Sequence, residues 1–356
     1  MPVPHRRAVP LAVAALACVA AAVPAVATTA AQAAGKPAAK PPVTRIGVMA
    51  NGVKKLPLRI KTTERLGVSL ARPNAEPVGE LTPSQSVFKH HFASLDLFLT
   101  IVNRTGKVKT SPPATDLAAY ARAFGQTLDA TTPKVVAVEN EELAPKFYSG
   151  TPTQYLAQLE AAVKVAHARK VAITNGGIVA GGVVLATWHD FWKQGKRRLA
   201  DDFMKLAMVA LRAPNPQKLL NDMPTAAAPR KPIFAANPRF ATLLQRTERY
   251  IAGFRRSRMD YVNFHWYQAG AKPLGQAIRF LEKATGKRAV TNEIGQFDLL
   301  PSTVTSILGE VRARHLPYAV WYGADGTASK GLYDKGTGAL RPNGIAFRDY
   351  VRKHPS

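Results

Sequence analysis

The chain has 356 residues, with 49 Lys and Arg against 23 Asp and Glu, a formal net charge of +26 and a single cysteine. That length is enough for a large hydrophobic core and excludes a small disulfide-stapled scaffold, and one cysteine excludes an intramolecular disulfide altogether. The strongly basic field favours anionic polymers as partners and disfavours cationic ones.

Residues 1–33 read as a secretory signal peptide, with a basic start (His5, Arg6, Arg7) followed by an Ala/Val/Leu run from Ala8 to Ala27. Small residues suit cleavage at Ala25-Val26-Ala27 and again at Ala31-Gln32-Ala33. Arg6-Arg7 is poorly flanked for a twin-arginine signal, and Cys18 lacks a good lipoprotein box before it. Cys18 leaves with the leader, so the mature chain holds neither a disulfide nor a thiol nucleophile. The expected location is extracellular or at the cell envelope. There, acidic polysaccharides, wall polymers or an anionic surface are more natural partners than nucleic acid, and a solvated basic surface is an equal explanation of the charge. No transmembrane segment is expected in the mature chain, and a monomer is expected.

Residues 34–43, dominated by Ala, Lys and Pro, read as a disordered lead-in, and one domain is expected over 44–356. A first strand is predicted at Ile46–Ala50, a short helix at Leu58–Leu66, and a second strand at Val68–Asn74 with Arg72 near its end. Pro83-Ser84-Gln85-Ser86 opens a helix that runs into His90-His91, and Leu95–Asn103 is a third strand. Asn103-Arg104-Thr105 also matches a glycosylation sequon. Helical spacing over Asp116–Leu128 leads to a fourth strand at Val135, and Thr151–Val165 is a further helix. Val171–Gly177 is the fifth strand, ending in a Gly-rich loop.

Residues 180–258 are a long, mostly helical connection, expected as a lid or cleft wall. Trp188 and Trp192 lie in it at i, i+4 spacing, which suits core packing better than sugar contact. Met259–Tyr267 is the sixth strand, Leu274–Ala284 a helix, Arg288–Glu293 the seventh strand, Thr303–His315 a helix, Tyr318–Tyr322 the eighth strand and Gly344–Lys353 the last helix. Eight alternations of strand and helix predict an α/β (β/α)₈ TIM barrel with a long, mostly helical insertion between strands five and six.

Two strands end in the same way. Val135-Val136-Ala137-Val138 runs into Glu139-Asn140-Glu141-Glu142, and Ala289-Val290-Thr291 runs into Asn292-Glu293. Strand ends at the C-terminal face of a barrel converge, so Glu141 and Glu293 are expected to meet as the opposed carboxyl groups that glycoside hydrolysis requires.

With these glutamates placed after strands four and seven, the chain resembles the clan-A retaining glycoside hydrolases over nearly all of its mature length. The resemblance implies that Glu141 is the general acid/base, that Asn140 contacts the sugar beside the scissile bond and that Glu293 is the nucleophile. His265 and Tyr267 in Asn263-Phe264-His265-Trp266-Tyr267 resemble the His-x-Tyr after strand six, and Trp321 resembles the aromatic floor of the sugar site after strand eight. Arg72 resembles the arginine beside the nucleophile. The chain departs from the pattern where Glu142 replaces the usual proline and Glu139 adds another acid.

Arg72 and Tyr267 are expected to keep Glu293 ionised. Trp266 and Tyr322, alternating with the site candidates, are expected to face the helices, and His265 is alternatively a satisfied core histidine. His90-His91 has no nearby ligand set, so no metal and no cofactor is expected. The implied activity is retaining hydrolysis of an extracellular or cell-wall polysaccharide, and the basic field permits an anionic one. The alternative is a non-catalytic carbohydrate- or envelope-binding protein on the same barrel.

Overall fold

The computed structural model describes residues 43–50, 61, 63–81, 95–104, 109–208, 222–234, 237–267, 270–323, 331–334 and 337–355. The leader, nearly all of the lead-in, His90-His91 and the sequon's Thr105 lie outside the described residues. Of the helix expected over Leu58–Leu66, residues 63–66 are helical.

The β-branched runs form strands β1 (Arg45–Met49), β2 (Leu70–Arg72), β4 (Asp96–Val102), β5 (Val135–Val138), β6 (Ala172–Asn175), β7 (Tyr261–Trp266), β8 (Arg288–Ile294) and β9 (Tyr318–Trp321). All pair in parallel, each with its neighbours in sequence, and β1 pairs with β9 while β2 pairs with β4. The sheet therefore closes into the expected eight-stranded barrel. A two-residue strand, β3 (Glu76–Pro77), was not expected, and pairs on the outside of the closure with Ile101 and Val102.

Alternation along each strand separates two cores. Leu70, Phe98, Val135, Val290, Tyr318 and Val320 fill the barrel interior, with the Phe98 and Tyr318 rings edge-to-face at 6.2 Å. The opposite parity, including Val136, Val138, Ile173, Val262, Phe264, Trp266 and Trp321, packs outward against helices.

Those helices are α1 (Leu117–Thr131), α2 (Pro152–Ala168), α3 (Ala180–Lys193), α4 (Arg197–Ala207), α5 (Pro238–Arg256), α6 (Ala271–Thr285), α7 (Pro301–Ala313) and α8 (Pro342–Lys353). Four open with Pro in the first turn, where its missing N–H costs no intrahelical bond. Asp116 caps α1 through two 2.9 Å bonds, and Thr151 with Gln154 forms a capping box on α2.

The connection between β6 and β7 carries α3, α4 and α5. Its Trp188 is buried and stacks on Trp192 at 5.9 Å, so this pair is core. No described helix is long and apolar enough to cross a membrane.

Candidate active site

The C-terminal ends of the strands open into a cleft of about 1500 Å³. Arg72, Asn140, Glu141, Tyr267 and Glu293 all line it. Two local distortions aim the carboxylates. After β5 the backbone takes φ of 66° at Glu139 and 46° at Glu141, left-handed conformations that non-glycine residues seldom adopt and that cluster at functional sites. In β8, residues 290 to 293 span the same stretch as 263 to 265 of β7, and residues 291 to 294 the same as 319 to 321 of β9. This one-residue bulge turns Asn292 and Glu293, consecutive in sequence, toward the same rim.

Arg72 is fully buried and donates to Glu293 Oε2 at 2.8 Å, to Asn140 Oδ1 at 2.8 Å and to the Asn292 carbonyl at 2.8 Å. The Tyr267 hydroxyl donates to the other oxygen, Oε1 of Glu293. Burial by itself would raise the Glu293 pKa. The charges of His265 and Arg72, with the hydrogen bonds from Tyr267 and Arg72, outweigh it and hold Glu293 below the usual carboxylate value.

His265 is also fully buried, with Nδ1 3.0 Å from Glu141 Oε1 and Nε2 2.9 Å from Asn292 Oδ1. Its tautomer follows from an asparagine ladder across β6, β7 and β8. The Asn292 backbone N–H donates to Asn263 Oδ1 at 3.0 Å, which leaves Asn263 Nδ2 to donate to Asn292 Oδ1 at 2.8 Å. The Asn292 atom facing His265 is thus an acceptor, and Nε2 must carry a hydrogen. Nδ1 and Glu141 Oε1 then hold one proton between them. Burial would lower the His265 pKa, but Glu293 and Glu141 outweigh it and the net shift is upward.

One oxygen of Glu141, one of Glu293 and a ring nitrogen of His265 lie within 4.8 Å of one another. Such a set is able to hold a cation. In this arrangement His265 Nδ1 meets Glu141, and the two Glu293 oxygens accept from Arg72 and Tyr267.

The residues read from the sequence thus divide. Glu141, Glu293, Asn140, Arg72, His265 and Tyr267 come together. His265 has both ring nitrogens on protein groups, which makes it a positioning side chain. Trp321 does not join them: it is buried beneath the rim with its ring against Phe347 at 5.7 Å, and Tyr322 lines the cleft in its place, edge-to-face with Tyr267 at 5.5 Å. The reason is strand parity. Tyr318 and Val320 point into the barrel, so Trp321 points to the helices and Tyr322 returns to the site side, the reverse of the expected assignment. Trp266 faces the helices as expected.

Sequence reading missed the ladder Asn175, Asn263 and Asn292, whose signal is an asparagine near the end of three successive strands. It also missed Gly177, whose φ is 113° and where a Cβ would lie 2.2 Å from His265 Nε2. Gly177→Ala is expected to destabilise the fold by about 2 to 4 kcal/mol through overpacking and backbone strain, measured by chemical denaturation.

The two extra acids are fully buried. Glu139 accepts from the Asn103 backbone N–H at 2.8 Å and from Gln158 at 2.6 Å, and Glu142 accepts from Asn175 at 2.9 Å, while among the described residues Oε2 of Glu142 has no partner. Burial is the main cause that raises both pKa values to about 7. A carboxyl that binds its proton more tightly when folded contributes stability that is full below the unfolded value of about 4.5 and is lost as pH rises through about 7. Glu142→Gln is therefore expected to be near neutral at pH 5 and to stabilise by about 1 to 3 kcal/mol at pH 8, with thermal melts across that range as the check.

No family model matches the sequence, and no curated protein matches it. Among solved structures, the chain is similar to a GH128 subgroup II endo-β-1,3-glucanase from Sorangium cellulosum, at 12% identity over 86% of this chain and 98% of that one, with a TM-score of 0.49. A GH128 subgroup I endo-β-1,3-glucanase from Amycolatopsis mediterranei, in complex with laminarihexaose, matches at 11% identity over 86% of this chain and 98% of that one, with a TM-score of 0.48. A GH128 subgroup VII oligosaccharide-binding protein from Trichoderma gamsii matches at 12% identity over 88% of this chain and 98% of that one, with a TM-score of 0.45.

Proposed function

We propose that the chain is an exported glycoside hydrolase that cleaves O-glycosidic bonds of an extracellular or cell-wall polysaccharide with retention of configuration. The observation that carries this reading is the approach of Glu141 and Glu293 to within 4.8 Å on the floor of an open cleft. Carboxyl groups about 5 Å apart suit double displacement, whereas inversion needs a wider gap for water.

The environments of the pair suit opposite tasks. Glu293, ionised and held by Arg72 and Tyr267, attacks the anomeric carbon, and the bond to the leaving oxygen breaks. The proton shared by Glu141 and His265 passes from Glu141 to that oxygen. Glu141 then takes a proton from water, whose oxygen displaces Glu293 from the anomeric carbon. The asparagine ladder fixes the His265 tautomer and so keeps this proton on the side facing Glu141. Tyr267, Tyr322 and Phe297 offer aromatic surface beside the carboxylates for sugar rings.

The test is incubation of the mature chain with neutral and acidic polysaccharides, following product configuration by NMR at early times. Release of the retained anomer supports the reading. Release of the inverted anomer overturns the mechanism, and binding without cleavage by the intact chain replaces it with a carbohydrate-binding role.

A further inference from the structure

Resting on the reading of this cleft as a polysaccharide site, we propose that it selects an anionic glycan, through cations that the catalytic machinery does not use. Five basic side chains besides Arg72 line the cleft: Arg104, Lys109, Lys146, Arg239 and Arg246. Among the described residues none of the five forms an ion pair with a carboxylate.

Their placement is built into the fold. Arg239, Thr242, Leu243 and Arg246 fall at i, i+3, i+4 and i+7 on α5, so one face of this helix presents two guanidinium groups and an apolar patch to the cleft. Lys146 follows the Glu141 turn and is held over the Phe147 ring at 4.4 Å. Arg246 is anchored by the carbonyls of Glu142 and Gly150 at 3.3 and 3.1 Å and lies 5.8 Å from the Tyr250 ring, while among the described residues its buried Nε has no partner. Arg104 and Lys109 enter from the chain after β4.

Among the described residues, Glu76 is the one acidic residue besides Glu141 and Glu293 that lines the cleft. Burial and the neighbouring Glu80 raise its pKa to about 7 against the opposing pull of Arg104, so it opposes the positive field weakly near neutrality. A neutral sugar chain entering here would strip water from these cations and return no counter-charge. A chain bearing carboxylate or sulfate groups returns one at each, in a concave site where the field is focused.

The overall basicity of the protein would attract polyanions anywhere on its surface, so the test must separate the cleft from the general field. Labelled oligosaccharides of hyaluronan, their carboxyl-reduced counterparts and chondroitin sulfate are titrated into the chain carrying Glu293→Gln, which prevents turnover. The acidic forms are expected to bind about tenfold or more tighter than the reduced form. Arg239→Gln with Arg246→Gln should remove most of that preference, and Lys146→Gln with Arg239→Gln, both exposed, gives a second removal that spares the Arg246 anchors. Arg255→Gln with Arg256→Gln, on the same helix but exposed outside the cleft, should leave the preference unchanged.

Equal affinity for acidic and reduced forms overturns the proposal, as does an equal loss from the cleft and control variants. Comparison of hyaluronan with chondroitin sulfate, which carries both carboxylate and sulfate, reads whether added sulfate strengthens binding. Retaining hydrolysis of a neutral polymer by the unsubstituted chain would leave the hydrolase reading standing while the charge selectivity falls. A charge preference without cleavage of any polymer would do the reverse.

Discussion

Glu293→Gln is expected to lower kcat/KM on a cleaved polysaccharide by about 10⁴-fold, roughly 5.5 kcal/mol of barrier, because Glu293 is the proposed nucleophile. The amide keeps the shape and a bond to Tyr267 or Arg72, so circular dichroism should be unchanged. Glu141→Ala is expected to lose less, about 10² to 10⁴-fold, the usual scale of a proton-transfer contribution. The two roles are separated by azide with an activated aryl glycoside. In Glu141→Ala, azide should take the sugar from Glu293 and give a glycosyl azide of retained configuration. In Glu293→Ala it should attack directly and give the inverted one. The opposite pair of outcomes would exchange the assignments, and no rescue of either variant would count against both.

Arg72→Met is the second large effect. Arg72 is 2.8 Å from Glu293 Oε2, and its side chain is 2% exposed against 12% for Glu293. Removing one partner of such a pair leaves a buried charge uncompensated, at a cost of about 3 to 5 kcal/mol. The charge of Arg72 is one of the causes holding the Glu293 pKa down, so without it that pKa rises. The proposed mechanism needs Glu293 ionised, and the acidic limb of the pH profile of kcat/KM should therefore move to higher pH in Arg72→Met. Arg72→Lys keeps the charge but lacks the fork that reaches Glu293, Asn140 and the Asn292 carbonyl together, and should fall between the two. A pH profile that stays in place while stability drops would mean that Arg72 serves packing alone.

In the proposed retaining mechanism, the buried carboxyls Glu139 and Glu142 are the unusual part of the site. Both flank the Glu141 turn, and both are protonated over a pH range in which an exposed glutamate is ionised. They limit the negative charge gathered around Glu141 and Glu293 at the strand end, and they tie the β5 turn to Asn103, Gln158 and Asn175.

The sequence by itself determined the barrel and the order of its strands. Eight apolar runs alternating with helical spacing are a periodic signal, and a closed parallel sheet is the arrangement that buries both faces of every strand. It also marked which strand ends bring carboxylates to the cleft, because Asn140-Glu141 and Asn292-Glu293 break the apolar runs abruptly. The place of Arg72 beside Glu293 and of Tyr267 on its other oxygen followed from the resemblance.

What only the tertiary structure decided is which way individual side chains turn. Trp321 and Tyr322 differ by one position, and their orientation rests on which residues of β9 meet Phe98 and Val135 across the barrel. The bulge in β8 brings Asn292 and Glu293 to one rim, which strict alternation would forbid. The hydrogen bonds that fix His265, and the five cations gathered from the chain after β4, the β5 turn and α5, join residues distant in sequence. No local pattern encodes them, because each depends on where strand register and helix packing place a neighbour.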